Sequence, residues 1–124
     1  MLIFNSILVI TRPKKNGIGT HWGVQLLDGR VVDYIQEVGL RFTTRDGFSE
    51  GLPVTTIREV PWHMTLPVRA RLEEVMRNPR KYDLLNWNCE TFAEWLTAGV
   101  PKSAQVIGAL LVVALVAVLV VAAR

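Results

Sequence analysis

Hydrophobic and polar positions divide this chain into three regimes. Near the start, residues 6–11 (Ser-Ile-Leu-Val-Ile-Thr) form a short, nearly unbroken apolar run, the pattern of a buried strand, followed by a loop at Arg12-Pro13-Lys14-Lys15-Asn16-Gly17. Residues 21–26 and 30–35 then read as two strands around Asp28-Gly29, a strong hairpin signal. Shorter strands are expected over 41–44 and 55–59, separated by Asp46-Gly47 and Gly51-Leu52-Pro53. The second regime has helical spacing. Residues 67–76 place Leu72, Val75 and Met76 on one face, with Asn78-Pro79 as the stop. Asn88 suits an N-cap, Phe92, Trp95 and Leu96 follow at helical intervals, and Gly99 and Pro101 close the segment. The third regime, residues 104–123, carries no charge at all. Strands come first and helices later, which predicts an α+β domain.

The hairpin register decides which side chains meet. A two-residue Asp28-Gly29 turn would set Leu26 opposite Val31 and send His21 and Asp33 to opposite faces. A three-residue loop, Leu27-Asp28-Gly29, with Gly29 in the left-handed conformation, sets Leu26 opposite Arg30 instead. His21, Gly23, Gln25, Val31, Asp33 and Ile35 then share one face, and Trp22, Val24, Leu26, Val32 and Tyr34 share the other. The second register gives one apolar face and one polar face, and it is the expected one. It puts Asp33 beside His21 and opposite Gly23, which has no side chain to obstruct the pair.

The uncharged stretch changes the expected location of the protein. At about 1.5 Å per residue it makes a helix of about 30 Å, the thickness of a bilayer's hydrocarbon core. Lys102 and Arg124 bracket it. The N-terminal apolar run lacks a basic lead and a small-residue cleavage site, so no signal peptide is expected. The division is therefore a catalytic domain over 1–101 and a C-terminal anchor over 102–124. Arg77, Arg80, Lys81 and Lys102 crowd the domain side, so the domain is expected to face the cytoplasm. A net charge of +3 on 124 residues is too small to argue for nucleic acid. Arg12, Lys14, Lys15 and the basic residues between 69 and 81 are candidates for anionic headgroups.

Cys89 is the only cysteine. It has no partner for an intramolecular disulfide, and one thiolate cannot build a multi-cysteine metal site. It falls at the start of the Asn88-capped helix, where free N–H groups and the helix dipole favour a thiolate. A thiol of ordinary pKa is mostly protonated at neutral pH and needs a base. The hairpin offers one: Cys89 as nucleophile, His21 as base and Asp33 as the acid that orients the imidazole. Each also has an ordinary role, as a buried small residue, a strand-end polar residue and a solvated strand residue. His63 is read as structural or exposed.

These residues resemble a known family. The segment from His21 to Asp33 is similar to the histidine hairpin of the lecithin retinol acyltransferase-like proteins, and Asn88-Cys89-Glu90-Thr91-Phe92 is similar to their Asn-Cys-Glu-His-Phe motif. The likeness continues through Thr97-Ala98-Gly99-Val100 and Ser103-Ala104-Gln105-Val106 into the C-terminal apolar segment, as in the small phospholipase A/acyltransferase branch. The resemblance implies a circularly permuted papain-like (NlpC/P60) fold with an antiparallel sheet and a cysteine-bearing helix. It further implies attack of Cys89 on a glycerophospholipid ester, a thioester acyl-enzyme, and transfer of the acyl group to water, an amine or an alcohol, with no cofactor and no metal. Two positions depart from the pattern: Asp33 stands where the animal enzymes usually carry a second histidine, and Thr91 replaces the motif histidine.

Three functions follow from the sequence. The first is a membrane-tethered phospholipase A1/A2 or acyltransferase, held near its substrate by a linker of about three residues, with Trp62, Met64 and Leu66 as candidates to dip into the interface. The second is a thiol peptidase or amidase. The third is a non-enzymatic tail-anchored module in which Cys89 is structural.

Overall fold

The computed structural model describes residues 4–123. Five strands, β1 (Leu8–Pro13), β2 (Thr20–Gln25), β3 (Val31–Ile35), β4 (Gly39–Thr43) and β5 (Thr55–Glu59), form one sheet in the order β4-β3-β2-β1-β5. Every recorded pairing is antiparallel. Helix α1 (Arg45–Ser49) interrupts the strands; α2 (Thr65–Arg77), α3 (Cys89–Ala98) and α4 (Ala104–Ala122) follow them. The fold is α+β.

Alternation along the strands sorts side chains onto two faces. Val9, Val24, Val32 and Tyr34 face α2 and α3 and pack with Val68, Val75, Phe92 and Leu96 in the main core. Burying a side chain such as Phe92 contributes about 1.5–3 kcal/mol. Ile10 and Val31 point the other way and pack on Phe48 of α1. Arg58 ties β5 to α3 through Glu94 Oε1 at 2.7 Å and Thr97 Oγ1 at 2.8 Å.

The β2–β3 hairpin has the register expected of the three-residue loop. Gly29 is left-handed at φ 87°, the Leu26 N–H donates to the Arg30 carbonyl at 2.8 Å, and Asp33 pairs with Gly23. What fills the space over Gly23 was not expected. A Cβ there would lie 2.6 Å from Phe48 Cε2, and Phe48 in turn stacks on His21 with ring centroids 5.2 Å apart. Gly23→Ala is therefore expected to displace Phe48 and destabilise the domain by about 1–3 kcal/mol, read as a lower denaturant midpoint.

Several boundaries depart from expectation for identifiable reasons. β1 covers 8–13 rather than 6–11, so Arg12 and Pro13 belong to a strand and not a loop. The β1–β5 pairing ends at Thr11, so the missing Pro13 N–H leaves no ladder partner unsatisfied. Asp46-Gly47, expected to separate strands, lies inside α1, where Thr44 caps the Gly47 N–H and burial of Phe48 overrides the poor helix propensity of glycine. α2 begins at Thr65, and its inner face is Val68, Leu72 and Val75, while Met76 is exposed. Of the three interface candidates, Trp62 and Leu66 are exposed but Met64 packs against the core.

No residue of the α4 helix is buried, and beyond the half-buried Gln105 and Val106 it is exposed. Its most apolar window has a mean hydropathy of 2.9, and it is long and apolar enough to cross a membrane. At about 1.5 Å per residue its 19 residues span about 28 Å.

Candidate active site

The site sits where β3 stops pairing with β2. The ladder between them runs from Gln25↔Val31 to Gly23↔Asp33. On the β3 side of β2, backbone groups point outward at every second residue: Leu26, Val24, Trp22 and Thr20. Beyond Val24 the starts of α3 and α4 occupy that edge. Cys89 Sγ lies 3.9 Å from the Thr20 carbonyl, and the Trp22 N–H favours its thiolate form. Gln105 Oε1 accepts the Thr20 N–H at 2.9 Å. Side chains from two helices thus stand in for the missing rungs, and one of them is the thiol.

Cys89 owes its place to a complete capping box. Asn88 Oδ1 accepts the N–H groups of Glu90 (3.0 Å) and Thr91 (2.9 Å), while Thr91 Oγ1 accepts the Asn88 N–H at 2.6 Å. Thr91 therefore has a structural role, as the reciprocal half of the cap. The cap leaves the Cys89 N–H, at the positive end of α3, as a first-turn donor beside the sulfur.

The structure brings all three candidate residues together. His21 Nε2 lies 2.7 Å from Asp33 Oδ2, which leaves Nδ1 to exchange a proton with Cys89. Asp33 is fully buried and is held from its other side by Arg41, with Nε 2.9 Å from Oδ1 and Nη2 2.6 Å from Oδ2. Burial alone would raise the Asp33 pKa, but the hydrogen bonds and positive charge of His21 and Arg41 outweigh it, and the carboxyl titrates below its usual 3.8. Burial alone would lower the His21 pKa; Asp33 and Cys89 reverse this and hold it above 6.5. Burial would raise the Cys89 pKa, but His21, the Trp22 N–H and the charge of Lys14 bring it below 9.0. The three shifts agree in sense: each favours the charged form of its group, carboxylate, imidazolium and thiolate, over the neutral one.

The signs fix an expected pH response. The raised His21 pKa and the lowered Cys89 pKa move the two groups toward each other, in the sense that favours the charged pair. Iodoacetamide alkylation of Cys89 is expected to rise with an inflection below 9.0. The stability contributed by His21 is complete below pH 6.5 and is lost as pH rises through its raised pKa. That contributed by Asp33 is present above pH 3.8 and is lost as pH falls through its lowered pKa.

Four further residues shape the site without having been singled out in the sequence. Arg41 follows from the β3–β4 register, Ile35↔Gly39 and then Asp33↔Arg41, and the signal was the three-residue loop before Gly39. Phe48 stacks on the imidazole, but only the tertiary fold brings it there. Buried Glu90 accepts hydrogen bonds from the Ser103 hydroxyl and from the Gln105 N–H at 3.2 Å. Gln105 reaches Thr20. The three-residue stretch before α4 is therefore no free linker, since Ser103 is buried, caps the Val106 N–H and is bonded into the domain.

Arg12, a headgroup candidate, instead donates to the Phe48 carbonyl (2.5 Å) and to Glu50 (3.0 Å), pinning α1 to β1. His63 is exposed in the short turn Trp62–Met64. Among the described residues, no group of three or more His, Cys, Asp or Glu side chains is placed to hold a metal ion. Chemically, the cluster brings a thiol whose ionisation is favoured, an imidazole and an N–H donor to one point. No protein-family model, curated protein or solved structure matches this chain.

Proposed function

We propose that the protein is a membrane-anchored thiol acyl hydrolase or acyltransferase that takes its acyl group from a glycerophospholipid. The observation that carries this reading is the Cys89–His21–Asp33 cluster at the head of a capped helix, next to the start of an apolar helix long enough to span a bilayer. The antiparallel sheet preceding the cysteine helix, and the resemblance of both motifs to lecithin retinol acyltransferase-like proteins, fit a circularly permuted papain-like fold.

In the proposed reaction the Cys89 thiolate attacks the ester carbonyl carbon, forming a C–S bond and an oxyanion that the Cys89 N–H stabilises. The oxyanion collapses, the ester C–O bond breaks, and the His21 imidazolium protonates the departing lysophospholipid oxygen. Neutral His21 then takes a proton from water, an amine or an alcohol as that acceptor attacks the thioester. Fatty acid, amide or ester leaves, and the thiolate–imidazolium pair is restored. Asp33 stays ionised throughout and fixes the imidazole through Nε2.

The α4 helix would tether the domain, and Arg77, Arg80, Lys81 and Lys102 on the domain side favour a cytoplasmic orientation. The membrane position favours lipid over peptide or amide substrates. The test is to incubate the full-length protein with acyl-labelled phosphatidylcholine in nanodiscs and quench with acid. An acyl mass on the Cys89 peptide, labile to hydroxylamine, is the expected product. Cleavage of a peptide panel with no acyl adduct would move the assignment to a thiol peptidase or amidase.

A further inference from the structure

Cys89 stands between two cavities of opposite character. On one side an apolar groove of about 340 Å³ runs from Cys89 past Leu84 and Leu85 to α4, whose Val106, Ala109 and Leu110 form its far wall. On the other side a polar cleft of about 540 Å³ is bordered by His21, Lys15, Asn16 and Gln36. Lys14, Tyr82 and Cys89 line both. An apolar track and a polar cleft meeting at a nucleophile match an amphiphile whose ester lies between its chain and its headgroup.

Charge completes the match. Arg12 and Lys15 are both drawn to Glu50, at 3.0 and 3.6 Å. Among the described residues Lys14 has no carboxylate partner, although its charge reaches Cys89. The α4 wall is also fixed in place: Ser103 and Gln105 bond to Glu90, and Gln105 bonds to Thr20. These contacts orient one side of α4 toward the thiol. Leu84 and Leu85, opposite that wall, are 63 % and 57 % exposed and bring further apolar surface to the groove mouth.

We propose that α4 is a wall of the substrate site as well as an anchor: one acyl chain of a glycerophospholipid enters sideways along the α4 groove, its ester reaches Cys89, and its phosphate sits beside Lys14. The proposal rests on the acyl-transfer reading and adds where each part of the lipid binds. Its physical advantage is continuity. Drawing a chain out of a bilayer into water costs about 0.8 kcal/mol per methylene. A chain that slides along α4 from hydrocarbon into the groove keeps apolar contact throughout.

The test compares Ala109→Trp, which fills the groove, with Ala117→Trp, two turns further along α4, in full-length protein in phosphatidylcholine nanodiscs. Ala109→Trp is expected to lower the ratio of long-chain to short-chain ester turnover by roughly tenfold, through the loss of a few buried methylenes. Ala109→Leu should show a smaller drop in the same direction, and Ala117→Trp should keep the wild-type ratio. Lys14→Gln should raise KM for phosphatidylcholine more than for a diacylglycerol that lacks phosphate. A wild-type ratio in Ala109→Trp overturns the groove. Should the wild-type protein turn over neither ester, the acyl-transfer reading falls. The groove is then judged by photolabelling Cys89→Ala protein with phosphatidylcholine carrying a chain-terminal diazirine. Label concentrated on Leu85 and the first turns of α4 upholds it, and label spread evenly along α4 overturns it.

Discussion

Cys89→Ala is expected to abolish release of fatty acid from phosphatidylcholine by the full-length protein while leaving the fold in place. Loss of a nucleophile that acts as a unit with its base costs roughly four or more orders of magnitude in rate, which here means turnover below detection. Structurally the substitution is mild. The Asn88 cap bonds to Glu90 and Thr91, not to the sulfur, so the start of α3 does not depend on the thiol. The sulfur's contact with the Thr20 carbonyl is long, at 3.9 Å, and the Gln105 amide already reaches the same oxygen at 3.5 Å. Deleting one buried sulfur should cost about 1 kcal/mol, a shift of about 4–8 °C in Tm for a domain of this size. Cys89→Ser should also be inactive, because His21 is matched to a thiol and not to an alcohol whose proton is far harder to remove. Activity and Tm measured on the same preparations separate catalysis from folding. An alanine variant that still releases fatty acid would make Cys89 a structural residue and the protein a tail-anchored module without thiol chemistry.

Much of this site was legible in the sequence because it depends on local rules. The Asn88 cap, the Phe92, Trp95 and Leu96 spacing and Gly99 together define α3 to the residue, and α3 puts Cys89 at its first position. The loop at Leu27-Asp28-Gly29 sets the register, and the register alone puts Asp33 against Gly23 with His21 on the same face. What the sequence withheld is contact between segments far apart in the chain. Phe48 reaches His21 across 27 positions of sequence, from a helix whose Asp46-Gly47 looks like a turn. Glu90 and Gln105 lie where the sequence pattern begins its helices, whereas Ser103, the α4 N-cap, falls in the stretch expected to be a linker. Nothing in their spacing shows that two helix N-termini dock side by side on one strand edge. Arg41 is the intermediate case: its pairing with Asp33 follows from one hairpin, but only once β4 is placed.

Asp33→Asn has the second largest expected effect, and it tests whether the carboxylate does more than fill space. Asparagine keeps the size of the side chain and can still accept from Arg41 through its oxygen. It then turns an NH₂ donor toward His21 Nε2, now 2.7 Å from a carboxylate oxygen. A neutral imidazole facing a donor must accept at Nε2, so its proton moves to Nδ1, the nitrogen that serves Cys89. A protonated Nδ1 on a neutral ring cannot take the thiol proton. A wrong tautomer of this kind costs about 10⁴-fold in kcat in a serine-protease triad, and roughly 10³–10⁴-fold is expected here. Losing Asp33 also removes the interactions that raise the His21 pKa, so the thiolate–imidazolium pair weakens and the alkylation inflection of Cys89 moves to higher pH. Stability falls as well. Breaking a buried ion pair by removing one partner costs about 3–5 kcal/mol, and the lower end applies because the Arg41 side chain is 26 % exposed and can turn toward water. Arg41→Gln separates the two effects. It should also destabilise the domain, but it leaves the carboxylate on His21, so kcat should fall far less than in Asp33→Asn. Equal losses of kcat in both variants would reduce Asp33 to a structural anchor for β3 and β4 and leave Cys89 with His21 alone.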